Sequence, residues 1–180
     1  ELPSGIGLEA SGVVEEIGAE VSHFKVGDRV SHASAPISGY SEKQIMPEEK
    51  LVIVPEGISD EVASCILLKG ITSEYLLHRS YAAKKGDKVL FHAAAGGVGQ
   101  ILCQWANALG CEVIGTVGSN DKIEIAKKNG CHHVVNYTDT NFVDEVEKIV
   151  GKNAIDVVYD GVGAKTFEGS IECLKIRGMM

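Results

Sequence analysis

The spacing of apolar positions changes once along the chain, near its first third. Over residues 5–55 they come in short β-branched runs, such as Val13-Val14 and Leu51-Val52-Ile53-Val54, cut by Gly, Asp and Pro. That is the pattern of short strands and turns in a small all-β unit. After Pro55 the period lengthens to three and four residues, and the spacing predicts two short helices, 60–68 behind Ser59 and 72–77 starting at Thr72. A regular alternation follows. Strands are predicted at 88–93, 112–117, 133–137 and 155–160, with helices at 98–109, 121–129, 142–150 and 165–174 between and after them. Met179-Met180 would begin a fifth strand. Strand and helix alternating in this way build βαβ units, hence an α/β class with a parallel sheet covered by helices on both faces.

Composition narrows the function classes more than the fold. With 180 residues, 44% apolar and 23% charged, the chain has the balance of one ordinary globular domain or two small ones, and disorder or fibrous repeats are poor readings. Its formal charge of −8, with Lys and Arg dispersed, disfavours nucleic acid as a main partner. No stretch approaches the ~20 apolar residues of a membrane span, so the cytoplasm is the default compartment. The five cysteines, Cys65, Cys103, Cys111, Cys131 and Cys173, are widely spaced and read as reduced, mostly buried thiols. Cys131-His132-His133 is a poor metal site, because neighbours in an extended segment point to alternate faces. The chain opens at Glu1 and stops where an apolar run starts, so it reads as a piece of a longer protein.

The chemistry concentrates at the first βα turn, His92-Ala93-Ala94-Ala95-Gly96-Gly97-Val98-Gly99. Gly96 and Gly99 occupy the last two glycine places of a G-x-G-x-x-G pattern, with Ala94 in the first. A pyrophosphate must approach the backbone closely and accept N–H bonds at the positive end of a helix, and side chains there would hold it away. An ordinary tight turn could use the same glycines; the strand before and the helix after favour a dinucleotide. A cofactor lacking a 2′-phosphate usually meets an acid about 20 residues further on. Here Val117 and Gly118 stand at that place, followed by Ser119 and Lys122, a hydroxyl donor and a cation suited to a phosphate, which favours NADPH. Ser119 also suits a helix cap, and Asp121 in the helix's first turn suits the dipole.

At these residues the chain resembles the NADPH-dependent quinone oxidoreductases, the zeta-crystallin-like, zinc-independent branch of the medium-chain dehydrogenase/reductase superfamily. Leu68-Lys69-Gly70-Ile71-Thr72, Cys103-Gln104-Trp105-Ala106, Gly115-Thr116-Val117-Gly118, Val135-Asn136-Tyr137 and Val158-Tyr159-Asp160-Gly161-Val162-Gly163 match in the same order. The resemblance implies part of a GroES-like β-barrel domain over 1–63. Over 64–180 it implies an NADP-binding domain with a partial Rossmann-type doubly wound parallel sheet, truncated after its fourth strand–helix unit. It implies a quinone in the cleft between domains and a homodimer for the full-length protein. It places the pyrophosphate on Gly96, Gly97, Val98 and Gly99, the 2′-phosphate near Gly118, Ser119, Lys122 and Tyr137, and Thr72 and Tyr75 beside the nicotinamide.

Zinc alcohol dehydrogenases of that superfamily carry Gly-His-Glu where this chain has Gly7-Leu8-Glu9, and leucine ligates no metal. A quinone is already electron-poor, so positioning against the nicotinamide could replace a Lewis acid. No catalytic residue stands out. His23, His32, His78 and His92 lie in the β unit or within regular elements, and Asp160 before Gly-x-Gly reads as a loop-capping residue. Two other functions remain open: reduction of an α,β-unsaturated carbonyl (an enal) and non-enzymatic NADPH binding of the crystallin kind. The 180 residues alone are expected to be unstable or inactive, because an unpaired sheet edge would be exposed.

Overall fold

A computed structural model describes residues 4–180. The chain divides into two compact units, one ending at Lys69 and the other spanning Gly70–Met180.

The first unit holds a three-stranded antiparallel sheet in the order β1-β2-β3, made of β1 (Ala10–Val13), β2 (Arg29–His32) and β3 (Val52–Ile53). Gly27 turns the chain into β2 with φ +92°, a backbone that costs glycine little. The Arg29 guanidinium grips the Ile58 carbonyl at 2.7 Å and the Asp60 carboxylate at 2.7 Å, tying β2 to the start of α1 (Asp60–Tyr75). A cavity of about 740 Å³ opens in this unit among Val13, Ile17, Phe24, His32 and Met46, remote in sequence from the glycine-rich turn.

The two short helices predicted after Pro55 are one: α1 runs unbroken for 16 residues and continues into a π-helical turn, Leu76–Ser80. Gly70 interrupts the apolar pattern but not the backbone. An interior glycine weakens a helix by about 1 kcal/mol, which packing overrides.

In the second unit, β4 (Lys88–Phe91), β5 (Glu112–Val117), β6 (His133–Asn136), β7 (Ile155–Tyr159) and β8 (Leu174–Met179) form one parallel sheet in the order β6-β5-β4-β7-β8. Its helices are α2 (Gly97–Ala108), α3 (Ile123–Lys128), α4 (Phe142–Val150) and α5 (Phe167–Cys173). Period-two alternation sorts the strand residues into two cores. Val89, Phe91, Val113 and Val117 pack with Leu102, Cys103 and Ala106 of α2. Leu90, Ile114 and Val158 pack on the other face with Phe142, Val143 and Val146 of α4. Each of the Val, Leu, Ile and Phe side chains contributes roughly 1.5–3 kcal/mol on burial.

The fifth strand starts earlier than the alternation predicts. Leu174 turns straight from α5 into extended backbone at φ −68°, ψ 137°, and pairs with Ile155. Arg177 at φ +68° and a register shift between Ile155 and Val157 break the period that a sequence reading needs. The last helix is correspondingly shorter at both ends than the predicted 165–174.

Candidate functional site

The sheet changes winding direction between β4 and β7, since β5 and β6 lie to one side of β4 and β7 and β8 to the other. In open parallel sheets, ligands settle at the carboxyl ends of the strands at such a point. The β4–α2 turn sits there. Ala93 holds φ +57°, in the left-handed region usually left to glycine, and Ala94 N–H donates to the Thr116 carbonyl of β5 at 3.0 Å. This hydrogen bond moors the turn to the neighbouring strand. Gly96 caps α2 in extended backbone and brings no side chain to its amides. The N–H groups of Gly97, Val98 and Gly99, first in the helix, therefore face outward at the positive end of the dipole.

A Cβ at Gly99 would lie 2.5 Å from the Ala94 carbonyl oxygen, so the close approach of α2 to the turn before it demands glycine. Gly115 in β5, outside the glycine-rich turn, is a second such position. A Cβ there would meet Cys131 Sγ at 2.6 Å and Ala94 Cβ at 2.7 Å. The floor of the turn is thus packed solid. Cys103, Cys111, Cys131 and Cys173 are buried free thiols and Cys65 is exposed. Contact with Cys131, with burial second, pushes the Cys103 thiol up from its ordinary range.

Gly118 and Tyr137 meet beyond the ends of β5 and β6: a Cβ at 118 would stand 2.9 Å from Tyr137 Oη. Ser119 opens a 3₁₀ turn, Asn120–Lys122, in which Lys122 N–H donates to the Ser119 carbonyl at 3.2 Å. The Ser119 hydroxyl bonds the Asp121 carboxylate and holds that acid below its usual range. Thr72 and Tyr75 sit on a different element, α1, three residues apart and hence on one helix face.

Beneath the carboxyl edge runs a buried polar network that includes two of the residues weighed for catalysis. His92 Nδ1 lies 2.8 Å from Thr116 Oγ1 and Nε2 2.9 Å from Ser170 Oγ, and the ring is 1% exposed. Asp160 Oδ1 accepts the N–H groups of Val162 and Gly163 at 2.8 and 2.9 Å, and Oδ2 accepts the Thr166 hydroxyl at 2.7 Å. Asp160 therefore caps its loop, and His92 is a packed residue between two hydroxyls. Burial pushes the His92 ring below its ordinary range. The Asp160 carboxyl is also held low: burial opposes ionisation, but the Gly163 amide, the Thr166 hydroxyl and the Val162 amide together outweigh it.

His132 Nδ1 accepts the Val113 amide at 3.0 Å whereas His133 Nε2 lies 3.3 Å from Glu112 Oε1, so the adjacent histidines serve different partners. Among the described residues no group of three His, Cys, Asp or Glu could hold a metal ion, and no helix is long and apolar enough to cross a membrane.

A parallel sheet in this order, with a bare glycine-rich helix start at its switch point, is the arrangement of a dinucleotide-binding fold. Residues 1–86 match the alcohol dehydrogenase GroES-like domain and residues 97–180 match the zinc-binding dehydrogenase family. The chain is 46% identical over 179 residues to a quinone oxidoreductase of Pseudomonas aeruginosa, covering 99% of this chain and 55% of that protein. It is 46% identical over 181 residues to a 2-haloacrylate reductase of a Burkholderia species, covering 99% and 54%. The solved structure of Escherichia coli quinone oxidoreductase complexed with NADPH superposes with a TM-score of 0.94 at 47% identity, covering 99% of this chain and 55% of that one. The chain thus spans about half the length of the curated relatives it matches. Along nearly its whole length it is thus similar to quinone oxidoreductases, and its two matched segments to the two domains of alcohol-dehydrogenase-type enzymes.

Proposed function

We propose that the protein reduces quinones by hydride transfer from NADPH. The observation that carries this reading is the pairing of an uncapped α2 N-terminus with an acid-free end of β5, where Gly118 meets the Tyr137 hydroxyl. NADPH, when bound, supplies the hydride. The chain's own residues would hold it. The amides of Gly97, Val98 and Gly99 suit the pyrophosphate, with Gly96 keeping the approach clear. Gly118, Ser119, Lys122 and Tyr137 would take the 2′-phosphate, and a carboxylate at Val117 or Gly118 would have repelled it. Thr72 and Tyr75 are assigned to the nicotinamide end.

The quinone assignment draws on the relatives' names, and the 2-haloacrylate reductase favours a second substrate class, activated carbon–carbon double bonds, at equal identity. Zinc is not required in this reading, since Leu8 replaces the ligating histidine of the zinc enzymes and a quinone needs no Lewis acid. Domains at 1–63 and 64–180, a cytoplasmic location and a homodimer complete the proposal and rest on the family resemblance. The test is turnover by the protein of NADPH and of NADH with a panel of quinones and α,β-unsaturated carbonyls. Quinone-dependent oxidation, faster with NADPH and unaffected by chelators, is the expected result. A preference for NADH would overturn the 2′-phosphate assignment, and cofactor binding without turnover of any acceptor would leave a non-enzymatic NADPH-binding protein.

A further inference from the structure

We infer that Asn136 is the positioning residue that gives this site its preference for a 2′-phosphorylated nucleotide, an inference that rests on the NADPH reading above. Asn136 is the last residue of β6 and is 9% exposed. Its Nδ2 donates to Asn120 Oδ1 at 2.9 Å and to Asp139 Oδ2 at 2.9 Å. Its Oδ1 accepts from Thr138 N at 3.1 Å and Thr138 Oγ1 at 2.8 Å. Both hydrogens and both lone pairs of the amide are used, so the side chain has one orientation. Asn120 belongs to the 3₁₀ turn that runs from Ser119 to Lys122, whereas Thr138 and Asp139 belong to the loop that starts with Tyr137.

One buried amide thus clips together the two loops whose residues would hold the phosphate, and Asn136 reaches the nucleotide with none of its own atoms in this assignment. Tyr137 N–H donates to the Val117 carbonyl at 3.1 Å, which fixes the backbone beside the clip. The Tyr137 phenol is then held over Gly118, and Ser119 and Lys122 are held on the facing turn. A site assembled from two loops recognises a compact anion only while their separation is fixed, because misplacement by about 1 Å loses charge-assisted hydrogen bonds.

Geometry also says what each change would do. Asn136→Asp keeps the shape but turns two donors into an acceptor facing the carbonyl of Asn120 and the carboxylate of Asp139, which pushes the loops apart. Asn120→Ala removes one partner from the exposed side and leaves β6 untouched. The experiment is calorimetric titration of the protein with 2′,5′-ADP and with 5′-AMP, which differ by the 2′-phosphate alone. The wild type is expected to bind 2′,5′-ADP more tightly. Asn136→Asp is expected to lower that selectivity about tenfold and Asn120→Ala to lower it in the same direction by less, with the loss falling on 2′,5′-ADP. If Asn136→Asp fails to fold, Asn120→Ala decides. Variants that weaken both ligands equally, or keep the wild-type ratio, overturn the positioning role alone. A wild type without preference for 2′,5′-ADP overturns the NADPH reading and this inference with it.

Discussion

His92 shows how a residue type that suggests catalysis can be given over to structure. Its ring lies between the hydroxyls of Thr116 and Ser170, edge-on to Phe142 at 5.1 Å, with Asp160 the nearby acid. Burial lowers its pKa from the ordinary 6.5 more than Asp160 raises it. In the unfolded chain the ring takes up a proton below about pH 6.5, whereas in the folded chain it does so only at lower pH. The ring's contribution to folding is therefore fully present above that pH and is lost progressively as the pH falls from there towards the lowered folded pKa. Urea unfolding at pH 7 and pH 5 should show this loss. His92→Gln should flatten it and cost about 1–3 kcal/mol at pH 7. An unchanged slope in the variant would contradict the assignment. Sequence alone could place His92 at the end of a strand. It could not name Thr116 and Ser170, which lie 24 and 78 residues away, because hydrogen-bond partners at that distance are set by strand order.

At the scale of elements, the legible ones carried strong local signals. β4 through β7 and the helices between them follow the alternation, and α4 starts where a cap stands ready: Asn141 Oδ1 accepts the Val143 amide at 3.0 Å. Asn141→Ala should destabilise the protein by about 1 kcal/mol with cofactor affinity unchanged, as thermal unfolding and NADPH titration would report. The elements that escaped prediction lack such signals. Gly70 looks like a boundary in the apolar pattern yet lies inside α1, and β8 has no alternation to read, its course being interrupted by Arg177 at φ +68° and a register shift. Pairing with β7 decides that strand, and pairing is not a property of the segment.

For the whole molecule, the proposed cofactor would bridge the α2 N-terminus and the loops after β5 and β6, so its binding should stabilise the second unit. NADPH at about 100 times its Kd is expected to raise the unfolding free energy by about 2.7 kcal/mol, and NADH at the same concentration by less. Equal shifts with both, measured by denaturant unfolding, would argue against a 2′-phosphate site. The sequence determined the α/β class, the glycine turn at Gly96 to Gly99 and the acid-free place at Val117 and Gly118, because periodicity, backbone freedom and the presence or absence of a charge are local. Only the tertiary structure decided that Gly115 must be bare and that Tyr137 covers Gly118. The same holds for Asn136, which ties two loops into one site. Each of these depends on which strands lie side by side, and that order emerges only when the two hydrophobic cores close on the sheet.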